Sequence, residues 1–215
     1  MFTGIVEEVG IVKQVRQGQH SAVLEIQAGI VLEDAKIGDS IAVNGICLTI
    51  TSLLDHTFTA DVMHETLNRS TLANLFPGSH VNLERAIQAN GRFGGHMVAG
   101  HIDGTGKITR IQKDDNAVWF TIQTTPEIMR YVVKKGSVAV DGISLTVAKT
   151  GNDNFSVSTI PHTVGQTILS ERKEGEGVNL ETDIVGKYVE KLLSVSFQQQ
   201  QHTNITKEFL EKYGF

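Results

Sequence analysis

Cysteine, proline and long apolar runs are scarce in this chain of 215 residues, and each scarcity closes a class of explanation. One cysteine, Cys47, cannot build an internal disulfide framework, and a lone thiol fits a reducing compartment. Only three prolines, beside 21 glycines, point to ordered structure with many tight turns. The richest apolar stretch, Ile41 to Ile50, is broken by Asn44 and Gly45, and falls far short of the ~20 residues a membrane helix needs. The opening Met1-Phe2-Thr3-Gly4 has neither the basic region nor the apolar stretch of a signal peptide. Positive charge is not in excess: 19 basic against 24 acidic residues leave a net charge of −5, which argues against a nucleic-acid surface. With 40% hydrophobic and 20% charged residues, the expectation is a cytoplasmic globule with a sizeable core.

What is present is written twice. Met1 to Gly10 returns 96 residues later as Met97 to Gly106, and Ser40 to Thr49 returns at an offset of 97 as Ser137 to Thr146. The second offset also carries Phe58 onto Phe155, Thr66 onto Thr163, Gly78 onto Gly175 and Val81 to Glu84 onto Val178 to Glu181. Between residues 40 and 86 it gives 15 identities in 47 ungapped pairs. The period is too long for a solenoid, so it marks a duplicated small domain. The copies span about 1 to 86 and 97 to 183, joined by the glycine-rich stretch Ile87 to His96. The tail from Ile184 to Phe215 has no counterpart.

Within a copy the hydrophobic period is 2. Ala22 to Ile26, Ile41 to Val43, Leu48 to Ile50, Phe58 to Val62 and Val81 to Glu84 are short β-rich runs, separated by turn clusters such as Asn44-Gly45 and Pro77-Gly78-Ser79. They predict a small antiparallel barrel or sandwich. Glu65 to Leu75, and His162 to Arg172 in the second copy, have helical spacing and predict one short helix each. In the tail, Ile184, Val185, Tyr188, Val189, Leu192 and Leu193 form one stripe of a helix, and Thr206 to Tyr213 is a second short helical pattern. That stripe needs a cover, either its own barrels or another chain.

Function is sought where the copies differ. Duplication gives two similar pockets, which suits two similar ligands. An enzyme that reacts two copies of one substrate also needs those pockets to be chemically unlike. Cys47 stands opposite Ser144, Asn44 opposite Asp141, Ile5 opposite His101, Ala86 opposite Asp183 and Glu65 opposite His162. Cys47 and Thr49 share one strand face, as do Ser144 and Thr146. Beside an Asn-Gly or Asp-Gly turn this reads as a pocket rim, the alternative being a solvated outer face. His101 interrupts an apolar segment and is the side chain best suited to proton transfer near neutral pH. His96 and His101, five apart, would face opposite sides of a strand, so no metal site is expected. Gly104-Thr105-Gly106-Lys107 lacks the Ser or Thr and the helix of a phosphate loop.

Met1 to Val6, Asn44 to Thr49, Gly94-Gly95-His96 with Gly100-His101, and Asp141 to Thr146 together make this chain resemble the riboflavin synthase family over its whole length. The resemblance implies an all-β fold of two tandem six-stranded antiparallel Greek-key barrels plus a helical tail. Its division would be 1–96 for the first lumazine-binding barrel with its linker, 97–186 for the second, and 187–215 for a tail that holds a homotrimer together. It implies a transferase that takes two 6,7-dimethyl-8-ribityllumazine molecules to riboflavin and 5-amino-6-ribitylaminouracil without metal or organic cofactor. The acidic 7-methyl group of one lumazine would need a modest base, and carbon 7 of the other a nucleophile or bound water. Association with lumazine synthase enters with the family, and on it the sequence is silent.

Carried over residue by residue, the family's ligand contacts in the first barrel are Gly4, Ile5, Val6, Cys47, Leu48, Thr49, Asp61, Val62, Met63, His64, Glu65 and Thr66. In the second they are Gly100, His101, Ile102, Lys135, Ser144, Leu145, Thr146, Ser158, Thr159, Ile160, Pro161, His162 and Thr163. His101, Cys47, Ser144, Thr146 and Asp183 are expected as the polar set around the reacting carbons. The family varies at positions 64 and 162, which speaks against His64 and His162 as catalysts. The rival reading is a binding module like the lumazine-binding fluorescent proteins, which also keep the duplication. The presence of Ser144, Thr146, Asp183 and His101 favours the enzyme. A flavin reductase barrel is not expected, because no nicotinamide-binding α/β domain is found in these 215 residues.

Overall fold

Alternating patterns close on themselves twice in the computed structural model, which describes residues 1–19, 21–200 and 211–214, the side chains of 195–200 excepted. The first ring is built from β1 (Glu8–Gln17), β2 (Ser21–Gln27), β3 (Ser40–Val43), β4 (Ile46–Leu54), β5 (Thr57–Met63) and β6 (His80–Arg85), in the order β1-β2-β5-β4-β3-β6. The second is built from β7 (Gly104–Asp114), β8 (Ala117–Gln123), β9 (Ser137–Val140), β10 (Ile143–Thr150), β11 (Asn154–Thr159) and β12 (Gly177–Thr182). Its strands follow one another around the ring in the same way, so the sequence repeat is a repeat of topology, two closed antiparallel Greek-key barrels.

Strand alternation sorts side chains into the two interiors. Leu24 and Ile26 of β2, Ile50 of β4, Phe58 of β5 and Leu83 of β6 fill the first core, and Ile108, Phe120, Ile122, Phe155 and Leu180 fill the second. β1 is the strand that the β-rich runs leave out. Gly10 and the outward-facing Lys13 and Arg16 dilute its pattern, yet Val12 is fully buried.

The single helix expected over Glu65 to Leu75 is two pieces: α1 (His64–Arg69) and a 3₁₀ turn over Thr71–Asn74. Ser70 between them is extended, and its Oγ accepts the Leu72 amide at 3.2 Å, starting a new turn instead of continuing the old one. The second copy breaks likewise between α3 (Pro161–Gly165) and a 3₁₀ turn over Ile168–Ser170, with Thr167 as the cap. A further short helix, α2 (Pro126–Met129), precedes β9.

Contacts divide the chain into Met1–Asp183 and Ile184–Phe215. The second unit carries α4 (Ile184–Gln200), on which the expected stripe residues Val185, Tyr188, Val189, Leu192 and Leu193 are exposed in the single chain. Of the second helical pattern, residues 206–210 lie outside the described residues. No helix among the described residues is long and apolar enough to cross a membrane.

Two buried asparagines join the barrels. Asn82 donates its amide N–H to Asn44 Oδ1 (2.8 Å) and its Nδ2 to the Asp141 carbonyl (2.9 Å), and its Oδ1 accepts the Ile168 amide (2.9 Å). Asn179 repeats this with Asp141 Oδ1, the Asn44 carbonyl and the Thr71 amide. Satisfied polar groups of this kind fix one barrel against the other.

The symmetry breaks at Asp141. Fully buried, it accepts from Arg172 Nε (3.1 Å) and Nη2 (2.7 Å), where the first copy has the neutral pair Asn44 and Leu75. Burial pushes the Asp141 carboxyl up, against the pull of the guanidinium. Arg172→Leu should cost about 3–5 kcal/mol in urea unfolding, because it strands a buried carboxylate. Asp141→Asn with Arg172→Leu copies the first barrel and should recover most of that loss.

Candidate active site

In each barrel one strand edge opens and a segment from elsewhere fills the gap. The register of β4 on β5 runs only from Ile50↔Ala60 to Leu54↔Thr57. Ahead of it, the Cys47 amide donates to the Gly100 carbonyl at 2.9 Å. Likewise β10 joins β11 from Val147↔Val157 onward, and the Ser144 amide donates to the Gly4 carbonyl at 2.8 Å. The segment that opens the first copy thus lies on the second barrel, and the segment that opens the second copy lies on the first. Val6 packs against the second core and Ile102 against the first.

This corrects the sequence grouping: Gly4, Ile5 and Val6 belong with Ser144, and Gly100, His101 and Ile102 with Cys47. The contact is too tight for a side chain. A Cβ on Gly4 would lie 2.6 Å from Ser144 Cβ, and one on Gly100 would lie 2.7 Å from Cys47 Cβ. Both glycines also hold left-handed φ values, 76° and 82°.

A buried carboxylate pins each crossing. Glu84 on β6 accepts the Thr3 amide (2.6 Å), the Thr3 hydroxyl (2.7 Å) and the Gly4 amide (3.0 Å). Glu181 on β12 accepts the Ala99 (2.6 Å) and Gly100 (3.0 Å) amides. Burial pushes the Glu84 carboxyl up, against these hydrogen bonds. Phe2 and Val98 complete the crossing by exchanging backbone hydrogen bonds at 2.7 and 3.1 Å. Neither glutamate stands out in the sequence, because each ends a run, Val81 to Glu84 and Val178 to Glu181, that is repeated without change.

The expected site residues divide by barrel. Around the first crossing, Cys47 is half-buried beneath Gly100, and Thr49, Asp61, Met63 and His101 are exposed on the outer face. His64, Glu65 and Thr66 follow on α1, where Glu65 pairs with Arg69. Around the second, Ser144 is half-buried beneath Gly4, Thr146 and Ser158 are exposed, and Ile160, Pro161, His162 and Thr163 lead into and along α3. Asp183 is half-buried at the end of β12. Leu48, Val62 and Leu145 turn their side chains into the barrels, and the Thr159 hydroxyl donates to the Val118 carbonyl at 2.9 Å. The polar set of five is therefore two sets, Cys47 with His101 and Ser144 with Thr146 and Asp183.

The second half-site holds a residue that the sequence offers as part of the Gly94-Gly95-His96 motif and as a rejected metal ligand, but not as a site residue. His96 is buried, and its Nδ1 lies 2.7 Å from Ser144 Oγ. Burial holds its imidazole below the usual histidine range, and Asp183 opposes that shift. Its signal in the sequence is the Gly94-Gly95 pair that lets the linker reach Ser144. Among the described residues no group of three or more His, Cys, Asp or Glu is placed to hold a metal.

A cleft of about 590 Å³ lies along the linker and includes Ile5 alone of the expected residues. Its central cation is already neutralised, since Arg85 pairs with Glu7 and Asp34. The half-sites at Cys47 and Ser144 are instead open faces.

Relatives with this architecture are well defined. The lumazine binding domain matches residues 3–86 and again 99–183. The riboflavin synthase of Actinobacillus pleuropneumoniae is 53% identical over 215 residues, covering 100% of both chains. That of Bacillus subtilis (strain 168) is 47% identical over the same length, again covering 100% of both chains. That of Mycobacterium tuberculosis (strain H37Rv) is 51% identical over 197 residues, 90% of this chain and 98% of its own. Among solved structures, LumP complexed with 6,7-dimethyl-8-(1'-D-ribityl) lumazine matches with a TM-score of 0.77 at 23% identity, covering 85% of this chain and 99% of its own, which is a likeness of fold.

Lys135 shows where the second copy accepts strain. It sits at φ 69°, where the first copy has Gly38 at φ 96°, and each donates its amide to the strand that follows, Lys135 to Val147 and Gly38 to Ile50. A left-handed lysine costs about 1–2 kcal/mol that glycine does not pay. Lys135→Gly should unfold at a higher urea midpoint than the wild type, whereas Lys135→Ala should not.

Proposed function

Because the chain belongs to the riboflavin synthase family, we propose that it joins two molecules of 6,7-dimethyl-8-ribityllumazine, transferring a four-carbon unit from one to the other. The products are riboflavin and 5-amino-6-ribitylaminouracil. One observation carries this reading: a single chain holds two half-sites of the same build and different chemistry. One offers a thiol, an exposed imidazole and Asp61. The other offers a hydroxyl backed by an imidazole, with Lys135, Thr146 and Asp183. Together the two products contain the atoms of two lumazines, so no oxidant, reductant or cofactor is required.

Each half-site takes one lumazine on its outer face. The backbone of Val62 and Met63, and of Thr159 and Ile160, offers hydrogen bonds to the pyrimidinedione edge, and Asp61 and Thr66 suit the ribityl hydroxyls. Large apolar side chains stand exposed at the rims, Met63 at 71%, Ile160 at 59% and Ile5 at 47%. A ring lying there keeps one face in water until a second ring covers it. Bringing two rings together in this way supplies rate chiefly by proximity, up to ~7–11 kcal/mol in well-oriented systems. The facing half-site comes from a neighbouring subunit of a homotrimer held by α4, so that a first barrel meets a second barrel.

Incubated with the lumazine, the chain should develop riboflavin absorbance, with activity unchanged by excess chelator. Bound lumazine with no riboflavin would make it a carrier. Cys47→Ala with Thr49→Ala in one chain, and Ser144→Ala with Asp183→Ala in another, should each be nearly inactive alone. Co-refolded, they should regain activity, because some interfaces then pair an intact first barrel with an intact second. Mixed oligomers no more active than their parents would place the site within one chain.

A further inference from the structure

His96 is delivered to Ser144 by a path that admits no side chain. A Cβ on Gly95 would lie 2.2 Å from the Thr3 carbonyl oxygen, 2.8 Å from Ser144 Cβ and 2.9 Å from Ser144 Oγ. One residue on, the His96 amide donates to that same Thr3 carbonyl at 3.1 Å. Thr3 is itself held by Glu84, and the next residue, Gly4, accepts the Ser144 amide. Linker, crossing segment and β10 therefore converge on a single hydroxyl.

His96 is 9% exposed, and its Nε2 is buried without a hydrogen-bond partner among the described residues. A buried polar atom left in this state costs about 1–3 kcal/mol, so its retention asks for a reason. Cys47, the counterpart of Ser144, has no imidazole bonded to its side chain among the described residues. The pair is a property of the second half-site alone.

We propose that His96 is a positioning residue for the four-carbon transfer: its neutral imidazole accepts the Ser144 hydroxyl proton in a hydrogen bond at Nδ1, turning the oxygen lone pairs of Ser144 toward the lumazine of the second half-site. The inference rests on the function proposed above. Nδ1 then carries no proton and Nε2 does. Protonation of the ring reverses the bond, because Nδ1–H would donate to Oγ and leave the hydroxyl hydrogen to face the ligand. The charged groups around the pair are Asp183, whose carboxylate favours the protonated ring, and Glu84, which lies behind Thr3. Burial acts against Asp183 and keeps the ring neutral near pH 7.

The test begins with wild type, whose formation of riboflavin is the control; its failure would refute the function and not this pair. Given that turnover, His96→Ala should lower kcat by about 10–100-fold with little change in KM, the size of effect that misplacing one group produces. His96→Asn, which keeps a hydrogen-bond acceptor near Nδ1 but does not titrate, should recover part of kcat. It should also lose the fall in kcat that wild type shows as pH drops through the lowered histidine range. A kcat and pH profile in His96→Ala equal to those of wild type would overturn the proposal. Nitrogen-15 spectra of histidine-labelled protein give a readout independent of turnover and, for the wild-type tautomer, of how the variants fold. They should show His96 neutral with its proton on Nε2, and an Nδ1 signal that shifts in Ser144→Ala. A proton on Nδ1 in wild type at neutral pH would contradict it.

Discussion

Glu84 and Glu181 turn their carboxylates away from water and onto the backbone amides of a segment on its way to the opposite barrel. Five hydrogen bonds would not repay burying two charges if they held only a loop in place. What they hold is the edge on which both half-sites are built. With Thr3 and Gly4 fixed, the Gly4 carbonyl meets the Ser144 amide, and with Ala99 and Gly100 fixed, the Gly100 carbonyl meets the Cys47 amide. The opened strand edges, the half-buried thiol and hydroxyl, and the placing of His101 and His96 all follow from this crossing. Without it each barrel would carry unpaired amides on β4 and β10, a cost of the kind that native structures avoid.

The crossing also explains how one duplicated sequence acquires two chemistries. Because each half-site borrows a segment from the other copy, it can change at three places: its own strand, the borrowed segment and the linker. The first half-site has Cys47 from β4 and His101 from the borrowed segment. The second has Ser144 from β10, Ile5 from the borrowed segment and His96 from the linker. The same freedom appears at the junction, where Asp141 with Arg172 replaces Asn44 with Leu75 while the asparagine network around them stays as it was. A duplicated scaffold held by Asn82 and Asn179 tolerates such changes because the hydrogen bonds that orient the barrels run largely through backbone groups.

Much of the barrel architecture was legible in the residues. The offset of 97 and the period of 2 give two small β domains, and the alternation at Cys47 and Thr49 puts both on one outward face. Less was legible of the site, for a physical reason. Hydrophobic period reports which face of a strand is buried, but not which neighbour buries it. Nothing local in Phe2 to Val6 tells that its partner lies more than 130 residues away at Ser144. The helical spacing of Glu65 to Leu75 was genuine, yet one side-chain oxygen at Ser70 outweighed it, since a capped new turn satisfies an amide that a continuous helix would not need to expose. His96 drew notice as part of a motif and as a rejected metal ligand but not as a site residue, because the glycine beside it reads as linker until Thr3 and Ser144 are seen to occupy the space.

The single cysteine allows the crossing to be tested in solution. Cys47 lies beneath Gly100, which belongs to the second copy, and apart from Gly4, which belongs to the first. Its rate of modification by a small thiol reagent should rise several-fold in Gly100→Ala, where the added methyl group forces the covering segment off β4. It should stay near the wild-type rate in Gly4→Ala, where the equivalent displacement falls on Ser144. A thiol uncovered by Gly4→Ala and left protected in Gly100→Ala would mean that each barrel is completed by its own leading segment, and the account of the two half-sites would not stand.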